Sequence, residues 1–430
     1  MPNSAATTFA FTFPYQSGST IAKAHVLLTT HSKANVSVTV SIPGTNFADT
    51  ITINSATSDR NNVTLPRDAV ISEWGSGVHI GKVVVVKSTK AVSVHGFYES
   101  VTSAAGFVVL PTDVLGDLYV VVAYNSIQKY SDSELVVAAF QDYVTNVTLT
   151  FSDNSKVFDV TLNQYESYQH VAAATSGLPR DITGAFINST QLVSVMSGHQ
   201  DVNIPLSSIG ADYIMDHLAP VTSLGRRYVL APFMGRSSGY TFRVIAVARE
   251  PTQVTISDGS VLSLQPGKFY QGDSNSVVVV NADKPVMVAQ YAKSYHTDLS
   301  GVPFMIVLPS TDAYSDHVIF PVATFNIYIN DSPTYYYISI VITCEDVENL
   351  MLDGRFIGSA SGMLQTHDEE FCVLRQAIQP GIHNVGLYHQ REFKASFVVL
   401  VYGYTEAVGK SYGYVAGYNV KSKLYRVITN

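Results

Sequence analysis

Lys90-Ala91-Val92-Ser93-Val94-His95-Gly96 alternates apolar and small polar residues with a period of two, the pattern of a strand with one face in a core and one in water. The stretch returns as Gln191-Leu192-Val193-Ser194-Val195-Met196-Ser197-Gly198, as Lys284-Pro285-Val286-Met287-Val288-Ala289-Gln290-Tyr291, and as Ser396-Phe397-Val398-Val399-Leu400-Val401-Tyr402. Successive copies lie roughly 100 residues apart, so the chain reads as a tandem array. A second landmark follows the first in the same order: Leu110-Pro111-Thr112-Asp113, Leu218-Ala219-Pro220-Val221 and Leu308-Pro309-Ser310-Thr311. A third precedes both, where Val160-Thr161-Leu162-Asn163 and Leu262-Ser263-Leu264-Gln265 lead into Tyr168-Gln169 and Tyr270-Gln271.

Alternation of the same kind fills the intervals, as in Val36-Ser37-Val38-Thr39-Val40 and Gln253-Val254-Thr255-Ile256-Ser257, with turn clusters such as Ser257-Asp258-Gly259-Ser260 and Gln265-Pro266-Gly267-Lys268 between them. The expected fold is all-β: tandem antiparallel β-sandwich-like repeats, each of about seven short strands. The units expected are 1-124 with an amino-terminal strand, 125-233, 234-330, and 331-430 with both cysteines and a Tyr/Gly-rich end. The alternative is a β-propeller with two four-stranded blades per repeat. Sandwiches are favoured because the landmarks do not recur at half the period.

The balance of 26 Lys+Arg against 34 Asp+Glu over 430 residues gives a net charge of -8, which removes support for a nucleic-acid partner or a polybasic membrane patch. Apolar runs such as Phe397 to Val401 are strand-sized, so no membrane span is expected. Met1-Pro2-Asn3-Ser4 carries neither a basic start nor an apolar run, so a signal peptide is read as absent or removed. Cys344 and Cys372 are too few for a disulfide scaffold and wrongly spaced for zinc; a bridge between them is expected if their strands are neighbours, with two unbonded buried thiols as the alternative. N-x-S/T sequons at Asn35, Asn62, Asn146, Asn188 and Asn330 are candidate glycosylation sites, though no more numerous than chance supplies.

The block Val92 to Phe97, followed by Phe107-Val108-Val109-Leu110-Pro111 and Leu115-Gly116-Asp117-Leu118-Tyr119, resembles the amino-terminal domain family of the IgG Fc-binding protein of mucus. Thr183-Gly184-Ala185-Phe186-Ile187 with Gln191 to Gly198 is similar to it too, as is Val401-Tyr402-Gly403-Tyr404 with Ser411-Tyr412-Gly413-Tyr414. The likeness covers nearly the whole chain. It implies an extracellular module of a mucus, matrix or adhesive protein that binds rather than catalyses. The cysteine-rich von Willebrand-type segments that accompany the domain in the namesake are missing here. No binding residue is carried over.

Gly75-Ser76-Gly77-Val78-His79-Ile80-Gly81 has glycines near dinucleotide-loop spacing, but a strand follows where a helix is required, so it reads as a turn. His296 with Asp298 and His367 with Asp368 read as solvated loop pairs; His95 and His199 end equivalent strands and read as structural, with a ligand-facing rim as the alternative. Glu345-Asp346 with Glu348 and Asp368-Glu369-Glu370 lie near the cysteines, where carboxylates would suit Ca²⁺ but more plainly form a charged edge. Tyr335-Tyr336-Tyr337, Tyr402, Tyr404, Tyr412, Tyr414 and Tyr418 divide by alternation between core and surface, with a binding face as the second reading. No catalytic, cofactor or metal residue is assigned. The expected function is a secreted, non-enzymatic binding or adhesion module for a protein or glycan partner. A self-associating building block of a filament or gel is the alternative, and a carbohydrate-active enzyme is the second one.

Overall fold

The computed structural model describes all residues except 1–3, 18–22, 56–60, 126–130, 152–154, 173–179, 326–332, 359–362, 389–394, 407–408 and 421–430. Its strands fall into four successive sets. The first holds β1 (Ala6–Thr12), β2 (Lys23–Thr29), β3 (Val36–Ser41), β4 (Ala48–Ile53), β5 (Asn62–Thr64), β6 (Gly77–Ile80), β7 (Val83–Glu99) and β8 (Ala104–Val109). The second holds β9 (Gly116–Val120), β10 (Ser133–Ala139), β11 (Thr145–Thr150), β12 (Lys156–Leu162), β13 (Glu166–Val171), β14 (Phe186–Val202) and β15 (Asp212–His217). The third holds β16 (Arg227–Leu230), β17 (Tyr240–Ala246), β18 (Thr252–Ile256), β19 (Val261–Leu264), β20 (Phe269–Ser274), β21 (Val278–Ala282), β22 (Val286–Ala292) and β23 (Met305–Leu308). The fourth holds β24 (His317–Val322), β25 (Thr334–Thr343), β26 (Leu350–Leu352), β27 (Arg355–Phe356), β28 (Leu364–Gln365), β29 (Phe371–Ala377), β30 (Gly381–Leu387), β31 (Phe397–Thr405) and β32 (Ser411–Val415).

The third set shows the plan most simply, as two four-stranded antiparallel sheets ordered β16-β21-β18-β19 and β20-β17-β22-β23. The fourth repeats it as β24-β30-β26-β27 and β28-β29-β25-β31-β32. In the first two sets one strand of 17 residues serves both layers. The start of β7 pairs with β1 and β3, and its end pairs with β2 and β8. β14 does the same between β9 with β11 and β10 with β15. In the third set Pro285 has no amide hydrogen for a ladder, and the strand stops at Ala282 and restarts at Val286. Both layers of a set bury into one core: Phe9, Val38 and Val84 from one sheet meet Val26, Val94 and Phe107 from the other. Each such side chain contributes about 1.5–3 kcal/mol by leaving water.

The class is therefore all-β, built of two-layer sandwiches. Propeller blades are excluded because a blade joins consecutive strands, whereas β16-β21-β18-β19 interleaves distant ones. The expected units 1-124, 125-233 and 234-330 each include the strand that pairs with the set after them. β9, β16 and β24 each follow a Leu-Pro or Ala-Pro landmark and pair with β14, β21 and β30 of the set that comes after. The landmarks are the crossings between sandwiches. One strand strays: β6 leaves the first set to pair with β13, extending the second set's sheet.

The last strands of the four sets close a cycle, with β8 packed on β15, β15 on β23, β23 on β32, and β32 back on β8. The approach is close enough to demand glycine. A Cβ on Gly106 of β8 would lie 2.6 Å from the Tyr414 ring, and one on Gly413 of β32 would lie 2.4 Å from the Phe304 ring. The ends of the described chain complete the ring: Ser4 N donates to Tyr418 O at 3.3 Å, and Tyr418 N donates to Ser4 Oγ at 3.2 Å.

Candidate functional site

Ring closure brings the first sandwich against the fourth, and that seam is both tightly bonded and concave. On its inner side the Lys410 ammonium and Glu99 carboxylate, both almost fully buried, meet at 2.6 Å. Nearby His95 Nε2 bonds Ala416 O at 3.0 Å, and burial pushes its pKa down to about 4. Thr29 Oγ1 donates to Ile319 O at 3.0 Å, and Leu27 joins the apolar cluster of Val318 and Phe320. Farther out the His31 ring stands edge-on to His317 with centroids 4.4 Å apart. Burial, and next the neighbouring His317, lower the His31 pKa to about 4, which keeps that ring neutral.

The outer face of the sheet β24-β30-β26-β27 forms the floor of a groove beside this seam. Cross-strand register puts His317, Gly386, Met351 and Phe356 in one row on that face. Gly386 leaves the centre of the row empty, making a trough; a Cβ there would approach His317 Cδ2 to 3.0 Å. A cavity of about 340 Å³ occupies it, lined by Asp316, His317, Met351, Asn384 and Leu387 among others. His317 Nε2 donates to Asn384 Oδ1 at 2.6 Å, which fixes both side chains. At the far end the Phe356 and Tyr388 rings, 59% and 45% exposed, meet edge to face at 5.4 Å.

Ile319 is the ladder partner of Asn384, and it lines a second cavity of about 390 Å³. The first sandwich supplies that cavity's other wall through Thr29, Thr30, Asn54, Ser55 and Asn61; the fourth supplies Gly381 and the exposed Ile382. The two cavities adjoin along β24 and β30: the first is lined by the fourth sandwich alone, and the second is shared with the first sandwich. Pockets at the junction of domains are where ligands most often sit. A third cavity, of about 320 Å³, lies elsewhere between Arg226, Arg227, Pro285 and Asp312. Among the described residues, none of these three cavities is lined by two carboxylates.

The residues singled out in the sequence have other places. Cys344 and Cys372 are joined in a disulfide across 28 residues, with Cα atoms 4.8 Å apart. The acidic groups beside them do not converge on an ion. Arg227 takes Glu370 at 2.6 Å and Asp368 at 3.3 Å, Thr343 Oγ1 donates to Asp346, and the described residues contain no cluster of metal-ligating groups. His95 and His199 are fully buried, which places neither on a rim. Desolvation lowers the His199 pKa to about 3. Gly77 to Ile80 is the strand β6, with Gly75 and Gly81 at positive φ on either side. His367 and Asp368 are exposed, as is His296, while the Asp298 side chain lies outside the described residues.

Tyr402, Tyr404, Tyr412, Tyr414 and Tyr418 are all buried, and four of their hydroxyls reach backbone in a different segment. Met234 N donates to Tyr402 Oη at 2.8 Å, while Tyr404, Tyr412 and Tyr414 donate to Met234 O, Ala323 O and Pro321 O. Burial pushes the Tyr402 phenol up to about 12. Of the Tyr335 to Tyr337 run, Tyr336 is buried and its neighbours are half-buried. Asn35, Asn62, Asn146 and Asn188 are exposed, and Asn330 lies outside the described residues.

None of the groove residues was singled out from the sequence. Phe356 lies in the two-residue strand β27, Ile382 in β30 and Tyr388 just after β30, and only register across the sheet sets them on the outer face. Gly386 carried the one readable signal, a glycine inside an apolar alternation. Among the described residues no helix is long and apolar enough to cross a membrane. A family model described as IgGFc binding protein matches residues 105–403, from β8 through β31. No curated protein matches the chain.

Proposed function

Because the chain belongs to the IgGFc binding protein family, we propose that it is a secreted, non-enzymatic binding or adhesion module whose docking surface is the groove between its first and fourth sandwiches. The observation that carries this is the composite wall: Thr29 to Asn61 on one side and Ile319 to Ile382 on the other belong to sandwiches far apart in sequence, joined through a buried ion pair. Ring closure makes the groove rigid, and pre-organisation lowers the entropy cost of binding. The family is of an extracellular, binding type. The Cys344–Cys372 bridge suits an oxidising compartment, and the four exposed sequons would be open to glycosylation there. Cavities that each lack a carboxylate pair speak for binding over sugar hydrolysis.

The test is binding of the full chain to immobilised mucus, matrix and glycan targets, beside an Ile382→Lys variant. Capture of one target by the native chain and its loss in the variant is expected. Absence of any binding, or equal binding by the variant, refutes the reading.

Self-assembly is a second reading, favoured by β6. This strand ends the second set's sheet, with Val78 47% and Ile80 71% exposed beside the half-exposed Trp74. Sedimentation over a concentration series separates the two, since a pure binder keeps one size and Ile80→Lys blocks growth by strand addition.

A further inference from the structure

We infer that the groove binds a neutral oligosaccharide; this rests on the reading of the groove as the docking surface and adds its ligand class. Among the described residues neither cavity is lined by a lysine or an arginine, and the one carboxylate in their lining is Asp316, on a chain of net charge -8. Sulfated, sialylated or phosphorylated chains meet no counter-charge among these lining residues. Beside Thr29, Asp316 and His317, the polar lining holds the hydroxyls and primary amides of Thr30, Ser55, Asn54, Asn61 and Asn384, of which Thr30 Oγ1 donates to Ala91 O, Asn54 Nδ2 donates to Asn35 Oδ1 and Asn384 Oδ1 accepts from His317. Such groups both donate and accept, as sugar hydroxyls do.

Apolar surface is placed at both ends of the groove. The Phe356–Tyr388 pair lies beyond Met351 and Leu387, and Ile382 lies at the opposite end. Rings held this exposed cost solvation unless something covers them, and the C–H face of a pyranose is a flat apolar surface bordered by hydroxyls. An extended peptide has less to gain. The floor is the face of strands already paired with one another, so it offers no free ladder of amides and carbonyls. The ladder pair Ile319 and Asn384, one lining each cavity, sets the two side by side along β24 and β30, which suits a linear chain of sugar rings.

Isothermal titration of the full chain against an N-acetylglucosamine trimer, a mannotriose and a lactose-based tetrasaccharide, beside sialylated and sulfated forms of the last, tests the inference. Neutral sugars are expected to bind, with the anionic forms at least tenfold weaker. Gly386→Val, which fills the trough, and the surface pair Phe356→Ala/Tyr388→Ala should each weaken binding tenfold or more. The double variant removes exposed rings only and carries the test if Gly386→Val does not fold. Anionic forms binding equally well, variants that keep native affinity, or no response to any of the sugars overturns the inference. If a protein target binds and is lost in the variants while the sugars do nothing, the ligand class is wrong and the docking surface stands; if neither responds, both fall.

Discussion

Lys410→Met probes the closure of the ring directly. The substitution keeps the apolar stem of the side chain and removes its charge, leaving the Glu99 carboxylate, 2% exposed, in a site from which water is excluded. At 2.6 Å and an effective dielectric near 20, the Coulomb attraction lost is about 6 kcal/mol. Desolvation of the ammonium offsets part of it, and removal of one partner from a buried pair costs about 3–5 kcal/mol in practice. The cost falls on the contact between first and fourth sandwiches, so urea unfolding should gain an early transition and amides of β2, β24 and β32 should exchange faster. The double variant Lys410→Met/Glu99→Leu strands no charge and should recover most of the loss. A single variant that loses under about 1 kcal/mol, or a double variant as unstable as the single, refutes the reasoning.

Three other outcomes follow from the same geometry. Tyr119 Oη accepts from Gly116 N at 2.8 Å and donates to Val193 O at 2.7 Å, and Tyr228 Oη repeats this with Gly225 N at 3.1 Å and Val286 O at 2.6 Å. Tyr119→Phe and Tyr228→Phe should therefore cost the same, about 1–3 kcal/mol each by denaturant titration, and a loss below about 0.5 kcal/mol would contradict the bonding. Replacing both Cys344 and Cys372 with alanine frees a loop of 28 residues and should destabilise by about 3–4 kcal/mol; two titratable thiols in the unreduced native protein would rule the bridge out. Burial lowers the His217 pKa from 6.5 to about 3, and its Nδ1 accepts from Leu110 N at 3.0 Å. The unfolded chain thus binds the proton first on acidification, so this contribution is complete above pH 6.5 and lost as pH falls toward 3. His217→Gln should flatten the pH dependence of stability there by up to about 1.4 kcal/mol per unit, and an unchanged slope would refute the assignment.

Period-two alternation and the recurring Val-Ser-Val stretch made the all-β array legible, because one-sided burial leaves a local imprint. Nothing local assigns the strand after Leu110-Pro111 and its counterparts to the preceding unit or to the next; only hydrogen bonding pairs β9, β16 and β24 with the set that follows. Val92 and Val94 lie in one strand but face different sheets' partners, since β7 crosses between layers through its exposed middle at Lys87 to Lys90. No residue pattern announces that crossing without a proline such as Pro285. The groove was illegible for a stronger reason. Its walls are joined by contacts such as Thr29 with Ile319, 290 residues apart, and no window of sequence holds both.

Ser4 and Tyr418 clasp each other, so the polypeptide enters and leaves this ring at one point. A pull applied through flanking chain would not be shared among the four sandwiches in series. It would fall on the junction of first and fourth, parting the groove there before stretching any core.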